Sequence, residues 1–362
     1  MSVTMTWIGL DVHARSVEAS VVDAVSGELS RRRVSSCDVE PLVEWLGSFP
    51  GPVRAAYEAG PTGYGLARAA RAAGIAMDVI APSKTPRRSG DRIKTDRRDA
   101  EHLVRQLMAG SLSAVRVPSL AEEAARDVVR AREQVRRDLM RARHRVSKLL
   151  LRHGLVYPRS GGAWTQAHRE WLSRQRFGES DLDLVYADAL ATVDGLIARR
   201  DALSERLSQI AQADALWPTV RRLRAFRGVD TLTALGIHLE IGDWTRFEHA
   251  SDVGAYVGLV PSLDQSGEGS RSGGITKTGS QYARRLLVEA AWHYTREPRI
   301  GVTLRRRQEQ LPAHVLQIAW RAQQRLYRMH QSMRERGKPA NVANAARARQ
   351  LACFLWAAAT AP

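Results

Sequence analysis

The sequence predicts an α/β N-terminal region, a long helical middle and a mainly helical C-terminal third. Short apolar runs alternate with helical patterns over residues 6–107, which indicates strands and helices in alternation. Residues 120–210 carry apolar side chains at seven-residue spacing, which indicates long packed helices. The last third combines a Gly- and Ser-rich basic segment with amphipathic runs. We therefore expect three domains, with bounds 1–118, 119–212 and 213–362.

Composition narrows the class of protein. The 362 residues carry a formal net charge of +17, and a charge of this size indicates a polyanionic partner, with nucleic acid as the first candidate. Cys37 and Cys353 lack metal-ligand spacing and argue against a disulfide scaffold. No signal peptide or run of membrane-spanning length is evident. We expect a soluble protein of the cytoplasm.

The N-terminal third has a recognisable order of elements. Its first three strands are followed by alternating helix and strand, which is the order of an RNase H-like nuclease fold. The expected elements are strands Thr6–Val12, Ser16–Ala24 and Leu29–Ser35, a helix Asp38–Leu46 with Asp38 as its N-cap, strand Val53–Tyr57, a helix Tyr64–Ala73 closed by Gly74, and strand Ala76–Ile80.

Residues 90–107, GDRIKTDRRDAEHLVRQL, place Asp96 and Asp99 three residues apart at the start of a helical run. Residues i and i+3 share one face of a helix, with Cβ atoms about 5–6 Å apart. Alone, this pair fits an ordinary solvated helix start, where acidic residues are favoured. Asp11 and Glu58 add carboxylates at the ends of two apolar runs. Four such groups are the oxygen donors that hard divalent cations prefer.

Basic residues flank the predicted acidic cluster, among them Lys94, Arg97 and Arg98. Two Mg²⁺ or Mn²⁺ ions about 4 Å apart stabilise the attacking and leaving oxygens in phosphoryl transfer. A basic loop beside such ions suits a phosphodiester backbone as substrate. His13 and His102 lie close to the acids in sequence, and we expect each to support the site or face solvent rather than to bind metal.

The middle of the chain predicts two long helices, Leu120–His153 and Asp181–Ile210. An antiparallel coiled-coil hairpin or a dimer seam would bury their apolar residues. Arginines that include Arg137 and Arg141 crowd the other faces of the first helix. A plain structural stalk and direct contact with nucleic acid both stay open, and the arginine content favours contact. The apolar positions of the first helix are Val128, Val135, Leu139, Ala142, Val146 and Leu149.

The C-terminal third contains two segments of interest. Arg221–Asp230 followed by Thr231–Glu240 has the pattern of a helix-hairpin-helix, whose turn can present backbone N–H groups to a phosphate. Val253–Arg285 is rich in Gly and Ser and basic through Arg271, Lys277 and Arg284. A serine there is a candidate nucleophile on phosphorus, although turn formation is the simpler explanation for any one of them. Helices should pack beneath this segment, and the last one should bury Phe354 and Trp356.

Four segments together resemble a known family over nearly the whole chain. They are GLDVHARSVEASVVD, YEAGPTGYGLARAA, KTDRRDAEHLVR and AYVGLVPSLDQSGEGSRSGGITKTGSQYARRLLVEAAW. In order and spacing they are similar to the DEDD-type transposases of the insertion-sequence one-ten family, which are related to the pilin-gene invertase.

The resemblance implies a role for each motif. It implies a RuvC-like N-terminal domain in which Asp11, Glu58, Asp96 and Asp99 bind divalent metal, and a C-terminal transposase domain whose nucleophile is the serine of the Ser266-Gly267 pair. The family pattern continues with Gly-Asn and Leu-Arg, where this chain has Gly279-Ser280 and Ala283-Arg284. Both departures lie outside the four acids and the Ser-Gly pair.

The resemblance also implies partners. It implies donor and target DNA, a structured guide (bridge) RNA whose loops pair with both, and homodimers that assemble into tetramers. Base pairing then selects the sequence, and the protein holds the backbones by shape and charge. The two reactive centres would converge when one subunit's acids face another subunit's serine.

Two alternatives differ from this recombinase. A metal-dependent RuvC-like junction endonuclease would use the four acids with water as the nucleophile and Ser266 only as a turn residue. A nucleic-acid-binding protein without activity would need neither, but the complete set of acids argues against it. The sequence alone also leaves open which of Ser262, Ser266, Ser270 and Ser272 attacks.

Overall fold

The computed structural model describes residues 5–23, 25–35, 38–82, 85, 96–158, 162–266 and 269–362, with the backbone alone for 264–266 and 270–272. The chain divides into two compact units, Met1–Ser119 and Leu120–Pro362. Among the described residues, no helix has both the length and the apolar character needed to cross a membrane.

A five-stranded mixed sheet forms the centre of the first unit, in the order β3–β2–β1–β4–β5. Strands β1 to β3 form an antiparallel meander, whereas β1 pairs with β4, and β4 with β5, in parallel. The predicted strand bounds agree with the structure to within one residue. The strands are β1 (Thr6–Val12), β2 (Val17–Asp23), β3 (Leu29–Val34), β4 (Val53–Glu58) and β5 (Ala76–Ile80).

Helices cover both faces of this sheet. On one face, α1 (Val39–Gly47) and α2 (Gly65–Ala72) bury their apolar side chains against Ile8 and Leu10. Asp38 occupies the N-cap position of α1, and Gly74 follows α2 with a φ of 79°, both as predicted. On the other face, α3 (Asp96–Met108) buries Leu103 and Leu107 against β4 and β5. The predicted helical run from residue 90 is described from Asp96 onward, and its first residues lie outside the described ranges.

Two long helices, α4 (Leu120–Arg152) and α6 (Ser180–Ile210), pack against each other in the second unit, with α5 (Gln166–Ser173) between them in the chain. Arg132, in the first half of α4, donates to the hydroxyl of Ser204 near the end of α6 at 2.9 Å, so the helices run antiparallel. The two-helix hairpin was predicted; a coiled-coil supercoil stays a prediction.

The buried positions of α4 follow the predicted seven-residue spacing only in its centre. Val135 and Val146 are buried there as expected, but toward the ends Val129 and Leu150 are buried instead of their predicted neighbours. The packing partner changes along the helix: Ala125 and Val129 belong to the large apolar cluster of the C-terminal helices, whereas Leu150 belongs to a separate cluster with Leu172 of α5.

The rest of the second unit is a helical core with one β-hairpin. The predicted interior positions of Phe354 and Trp356 are confirmed, since both pack against the large apolar cluster. The Gly- and Ser-rich segment contains two paired strands, for which the sequence analysis predicted no strand. The elements are α7 (Trp217–Leu223), α8 (Thr231–Ile241), α9 (Ala250–Tyr256), β6 (Pro261–Ser266), β7 (Gly269–Ile275), α10 (Gln281–Ala291), a 3₁₀ turn (Trp292–Thr295), α11 (Val302–Gln308), α12 (Ala313–Glu335) and α13 (Ala340–Ala359).

Candidate metal centre and nucleic-acid contacts

Close packing of β1 on α3 brings the candidate acids together. A Cβ added to Gly9 would lie 2.4 Å from the carbonyl oxygen of Ala100, so the strand and the helix touch through their backbones. Asp11 lies two residues beyond Gly9, about 7 Å along the strand on the same face. Asp96 lies four residues before Ala100, about 6 Å along the helix axis. The two aspartates therefore reach the same edge of the sheet.

Asp11, His13 and Asp96 form the candidate metal centre. Nε2 of His13 lies 3.1 Å from Oδ2 of Asp11 and 3.4 Å from Oδ2 of Asp96. The three potential ligand atoms all lie within 4.8 Å of one another. The Asp11 side chain is 25% exposed and that of Asp96 is 60% exposed, so the cluster opens to solvent on the Asp96 side.

Asp99 and Glu58 lie at the same end of the sheet but outside this group of three. The negative charge of Asp99 acts on Asp11, which indicates that the two carboxylates are near each other. Leu10 pairs with Tyr57 in parallel register, so the next residues, Asp11 and Glu58, point to the same face of the sheet. The Glu58 side chain is exposed. All four predicted acids thus lie on the face that α3 covers.

The electrostatics of Asp11 favour a bound cation. Burial raises the pKa of the Asp11 carboxyl; the charge and hydrogen bond of His13 oppose this shift, and the like charges of Asp96 and Asp99 add to it. A divalent cation between the carboxylates would remove the repulsion. Crowded carboxylate oxygens are the donors that Mg²⁺ and Mn²⁺ prefer, so the residues fit the expected ions.

His13 is the residue whose contact with the acids the sequence did not specify. It was expected in a supporting or surface position, and it lies within bonding distance of two carboxylates. The signal was the Asp11-Val12-His13 pattern directly after a buried strand, because residues two apart in extended chain point the same way. An imidazole here can either bind metal or hold the two carboxylates in place.

Basic residues beside the acids are described in part. Arg97 and Arg98 lie in the first turn of α3, and both are exposed. Lys94 lies outside the described residues. The two arginines thus stand next to Asp96 and Asp99 on the surface, where a phosphodiester backbone could approach the cluster.

Ser266, the serine of the predicted Ser-Gly pair, is the last residue of β6 in the β6–β7 hairpin. The backbone of Ser266 pairs with Gly269 as the last rung of the ladder, and Gly267 lies outside the described residues, as does the side chain of Ser266. The base of the hairpin is tight: a Cβ on Gly279, which has a φ of 67°, would meet the carbonyl oxygen of Tyr256. Only glycine fits this position without moving the backbone.

The residues after the hairpin fix its base. Arg284 donates to the carbonyl oxygens of Val257 at 2.7 Å and Thr278 at 2.8 Å, and burial lowers the pKa of its guanidinium. Ser280, where the family pattern has Asn, accepts a hydrogen bond from the Ala283 N–H and caps α10, a role that either residue type performs. The two departures from the family pattern therefore lie in a structural segment.

The basic residues of this region that were predicted to contact nucleic acid differ in exposure. Lys277 is exposed and has a positive φ of 57°. The backbone of Arg271 lies in β7, and its side chain is outside the described atoms. Of the three basic residues singled out here, Lys277 is thus the one described as presenting its charge to solvent, while Arg284 is engaged with the main chain.

The predicted arginines of α4 are partly engaged by acids. Arg137 donates to the buried carboxylate of Glu133 at 3.1 Å, and Arg141 donates to the exposed carboxylate of Asp138 at 3.1 Å. Glu133 also accepts from Arg136 at 2.8 Å and from Arg285 of α10 at 2.7 Å. Arg137 and Arg141 remain 50% and 71% exposed, so these pairs leave their guanidinium groups accessible to a phosphate.

Comparison with known proteins adds an independent line of evidence. Residues 8–154 match the family profile DEDD_Tnp_IS110, described as a transposase, and residues 220–301 match the transposase IS116/IS110/IS902 family. The chain is 41% identical to the transposase-like protein y4qE of Sinorhizobium fredii, over 84% of this chain and 74% of that one. It is 29% identical to the transposase of insertion sequence element IS1533 from Leptospira borgpetersenii, over 92% of this chain and 97% of that one. The chain belongs to the IS110 family of insertion-sequence transposases.

Proposed function

We propose that this transposase cuts and rejoins DNA under the guidance of a structured RNA, with a metal centre formed by Asp11, Glu58, Asp96 and Asp99 and with Ser266 as the nucleophile. The observation that carries the proposal is the meeting of Asp11, His13 and Asp96 at one edge of a mixed sheet, with the charge of Asp99 acting on Asp11. As part of this proposal, we assign the first 118 residues to an RNase H/RuvC-like nuclease domain.

The acidic cluster would supply the phosphoryl-transfer chemistry. Divalent ions held there would stabilise the charge that develops on the attacking and leaving oxygens. Asp11 and Asp96 would hold the ions from the strand and the helix, respectively. His13, hydrogen-bonded to Asp11, would fix the direction in which that carboxylate points. Arg97 and Arg98 would neutralise the adjacent phosphates of the bound strand.

A covalent bond between Ser266 and the DNA phosphate would preserve the energy of the cleaved phosphodiester bond until the strands are rejoined. Its hydroxyl loses a proton as Oγ bonds to phosphorus, and one P–O ester bond breaks, so that its oxygen leaves with a proton as a strand-end hydroxyl. A hydroxyl of the recipient strand then attacks the phosphoserine and releases Ser266. The count of phosphodiester bonds is unchanged, so rejoining needs no external energy source.

Guidance by RNA would explain the charge of the chain. Sequence choice by base pairing leaves the protein to bind backbones, and a net charge of +17 with many arginines suits that task. We propose that the helices of 119–212 contribute to oligomerisation or nucleic-acid contact, and that 213–362 forms the domain with the serine. Dimers that pair into tetramers would bring the acids and the serine together.

The test is a denaturing gel of full-length protein with labelled donor and target DNA, RNA transcribed from the element's flank, and Mg²⁺. We expect a covalent protein–DNA band in the wild type that requires both RNA and metal, and no band with Ser266→Ala or Asp11→Ala. Nicked DNA without an adduct, equal in wild type and Ser266→Ala, would favour the endonuclease that uses water.

Mixing the two inactive variants tests the arrangement of subunits. If one subunit's acids act with another's serine, Ser266→Ala and Asp11→Ala together restore strand joining, because a mixed oligomer contains one intact pair. Each variant alone is the control. Failure of every mixture, with oligomers shown to exchange subunits, would mean that both centres come from one chain.

A further inference from the structure

A small basic pocket lies beside the α7–α8 turn, in the segment where the sequence predicts a helix-hairpin-helix, and the proposed function assigns no ligand to its residues. It has a volume of about 250 Å³ and is lined by Arg227, Arg299 and residues 301–304. Arg227 belongs to the turn, Arg299 and Gly301 precede α11, and residues 302–304 form the first turn of α11. The pocket therefore brings together two segments about seventy residues apart in sequence.

Hydrogen bonds fix the two arginines in the wall of the pocket. Nη1 of Arg227 donates to the carbonyl oxygen of Glu297 at 2.7 Å and to that of Arg296 at 3.3 Å. The backbone N–H of Arg299 donates to Oε1 of Gln323 on α12, whose side chain is buried, at 3.0 Å. The first contact orients the guanidinium of Arg227, and the second anchors the backbone of Arg299 while leaving its side chain exposed.

The pocket has one sign of charge. The charged groups that act on Arg227 include Arg296 and Arg299, and after burial these two cations lower the pKa of its guanidinium. His293 next to them has its pKa lowered by burial and by Arg227 and Arg296. Within the described ranges, none of the three arginines makes an ion pair with an acid. Clustered cations without a counter-charge repel one another and destabilise the folded state, and a bound anion would remove this repulsion.

We propose that this pocket binds a phosphate of a nucleic-acid backbone, with Arg227 and Arg299 as its two ligands and Arg296 at its rim. The planar guanidinium fork holds two phosphate oxygens at once, and because both arginines line this one pocket they suit a single phosphate. The pocket is open and flanked by the exposed Ile300 and Val302, so the sugars on each side of the phosphate have apolar surface to contact. Donors of this kind position a backbone without reading its bases.

The proposed site is separate from the Ser266 hairpin. Helix α10 connects the two regions: its first residue follows the base of the hairpin, and Arg296 lies five residues beyond its last residue. The 11 residues of α10 span about 16 Å. The pocket would thus hold the strand at a second point, away from the base of the hairpin, and would do so even if another group than Ser266 attacked phosphorus.

The test compares the salt dependence of binding for full-length wild type, Arg299→Gln and Arg227→Gln/Arg299→Gln. Each is titrated with a random-sequence DNA duplex and, separately, with a single-stranded RNA. Loss of one phosphate contact reduces the slope of log affinity against log salt by about 0.9 on duplex DNA and about 0.7 on a single strand. We expect the double variant to bind about tenfold more weakly with a correspondingly smaller slope. The nucleic acid that shows the effect identifies the source of the phosphate.

The matched control is Arg54→Gln/Arg105→Gln, which removes the same charge from two arginines of the first unit that are already paired with Asp78 and Glu101. Its slope should equal that of the wild type. Thermal unfolding checks that the variants fold. Because the Arg227 side chain supports the turn, Arg299→Gln alone decides the matter if the double variant is unstable. Unchanged slopes on both nucleic acids for folded Arg299→Gln, or an equal loss in the control, would overturn the proposal.

Discussion

The carbonyl oxygen of Ala100 lies 2.4 Å from the point where a side chain on Gly9 would begin. Strand β1 and helix α3 therefore meet without an intervening side chain, and this contact decides how far Asp96 stands from Asp11. The candidate metal centre thus depends on a residue that carries no chemistry of its own.

Replacing Gly9 with Ala should destabilise the first unit. The added methyl group meets backbone atoms of α3 on a helix that cannot rotate away, and overpacking of this kind costs about 1–3 kcal/mol in the free energy of unfolding. Urea denaturation measures this loss. Gly47→Ala is the control, because no atom lies within 4 Å of its added Cβ and the backbone is helical. An equal effect of the two changes would contradict the role given to Gly9.

Substitutions of His13 and of Asp11 should lower the affinity for metal to different extents. If His13 positions the carboxylates, His13→Ala weakens Mn²⁺ binding by about 10–100-fold, the range for a residue that orients a ligand. Asp11→Asn removes a ligand and should weaken it further. Calorimetric titration of full-length protein measures both, with Asp188→Asn on α6 as a control carboxylate. Unchanged affinity in Asp11→Asn would show that the ion binds elsewhere.

The sequence predicted the acids but only part of their geometry. Asp11 and Glu58 could be placed because buried parallel strands leave a clear apolar pattern, and their ends meet at one edge. The close approach of α3 to strand β1 could not be predicted, because it depends on the contact between Gly9 and the backbone of Ala100. A lone glycine in a strand has several explanations. The same contact brings His13 to Asp96.

The β6–β7 hairpin was not predicted because its strands have weak strand propensity. Residues PSLDQS and GSRSGGI contain few of the branched and aromatic side chains that mark a half-buried strand. The hairpin is instead fixed at its base, where Lys277 donates its N–H to the carbonyl of Gly258 at 3.1 Å and Arg284 binds two more carbonyls. Such long-range contacts leave no periodic signal in the sequence.

Glu133 should be a centre of stability in the second unit. Its buried carboxylate joins Arg136 and Arg137 of α4 to Arg285 of α10. Glu133→Gln keeps the shape but leaves these guanidinium groups without their anion, and breaking a buried pair costs about 3 kcal/mol. Denaturant unfolding should detect this loss. Asp138→Asn, which breaks the exposed pair with Arg141, should change stability by less than about 1 kcal/mol.

The same carboxylate predicts a dependence of stability on pH. Burial alone would raise the pKa of Glu133, but the hydrogen bond of Arg136 and the charge of Arg285 outweigh it and lower the pKa. A lowered pKa in the folded state gives stability that is complete above the ordinary Glu value of about 4.3 and is lost as pH falls below it. Wild type should therefore lose more stability than Glu133→Gln on acidification. If the stability of the two proteins fell equally with decreasing pH, the acid sensitivity would belong to other groups.

Lys277 and Arg284 should respond differently to loss of charge. Lys277 is exposed, so Lys277→Gln should reduce the salt dependence of DNA binding and leave thermal stability unchanged. Arg284 holds the carbonyls of Val257 and Thr278, so Arg284→Gln should lower the melting temperature. The two variants serve as controls for each other. A loss of stability in Lys277→Gln but not in Arg284→Gln would contradict the contacts described.

The central claim is that a serine of the β6–β7 hairpin becomes linked to DNA. The most direct measurement is mass spectrometry of the adduct after nuclease trimming and trypsin digestion. Cleavage after Arg246 and Arg271 releases one peptide with Ser262, Ser266 and Ser270, while Ser272 starts the next. The account predicts a nucleotide on Ser266, formed only with divalent metal. A nucleotide on another residue, or cleaved DNA with no modified peptide, would contradict it.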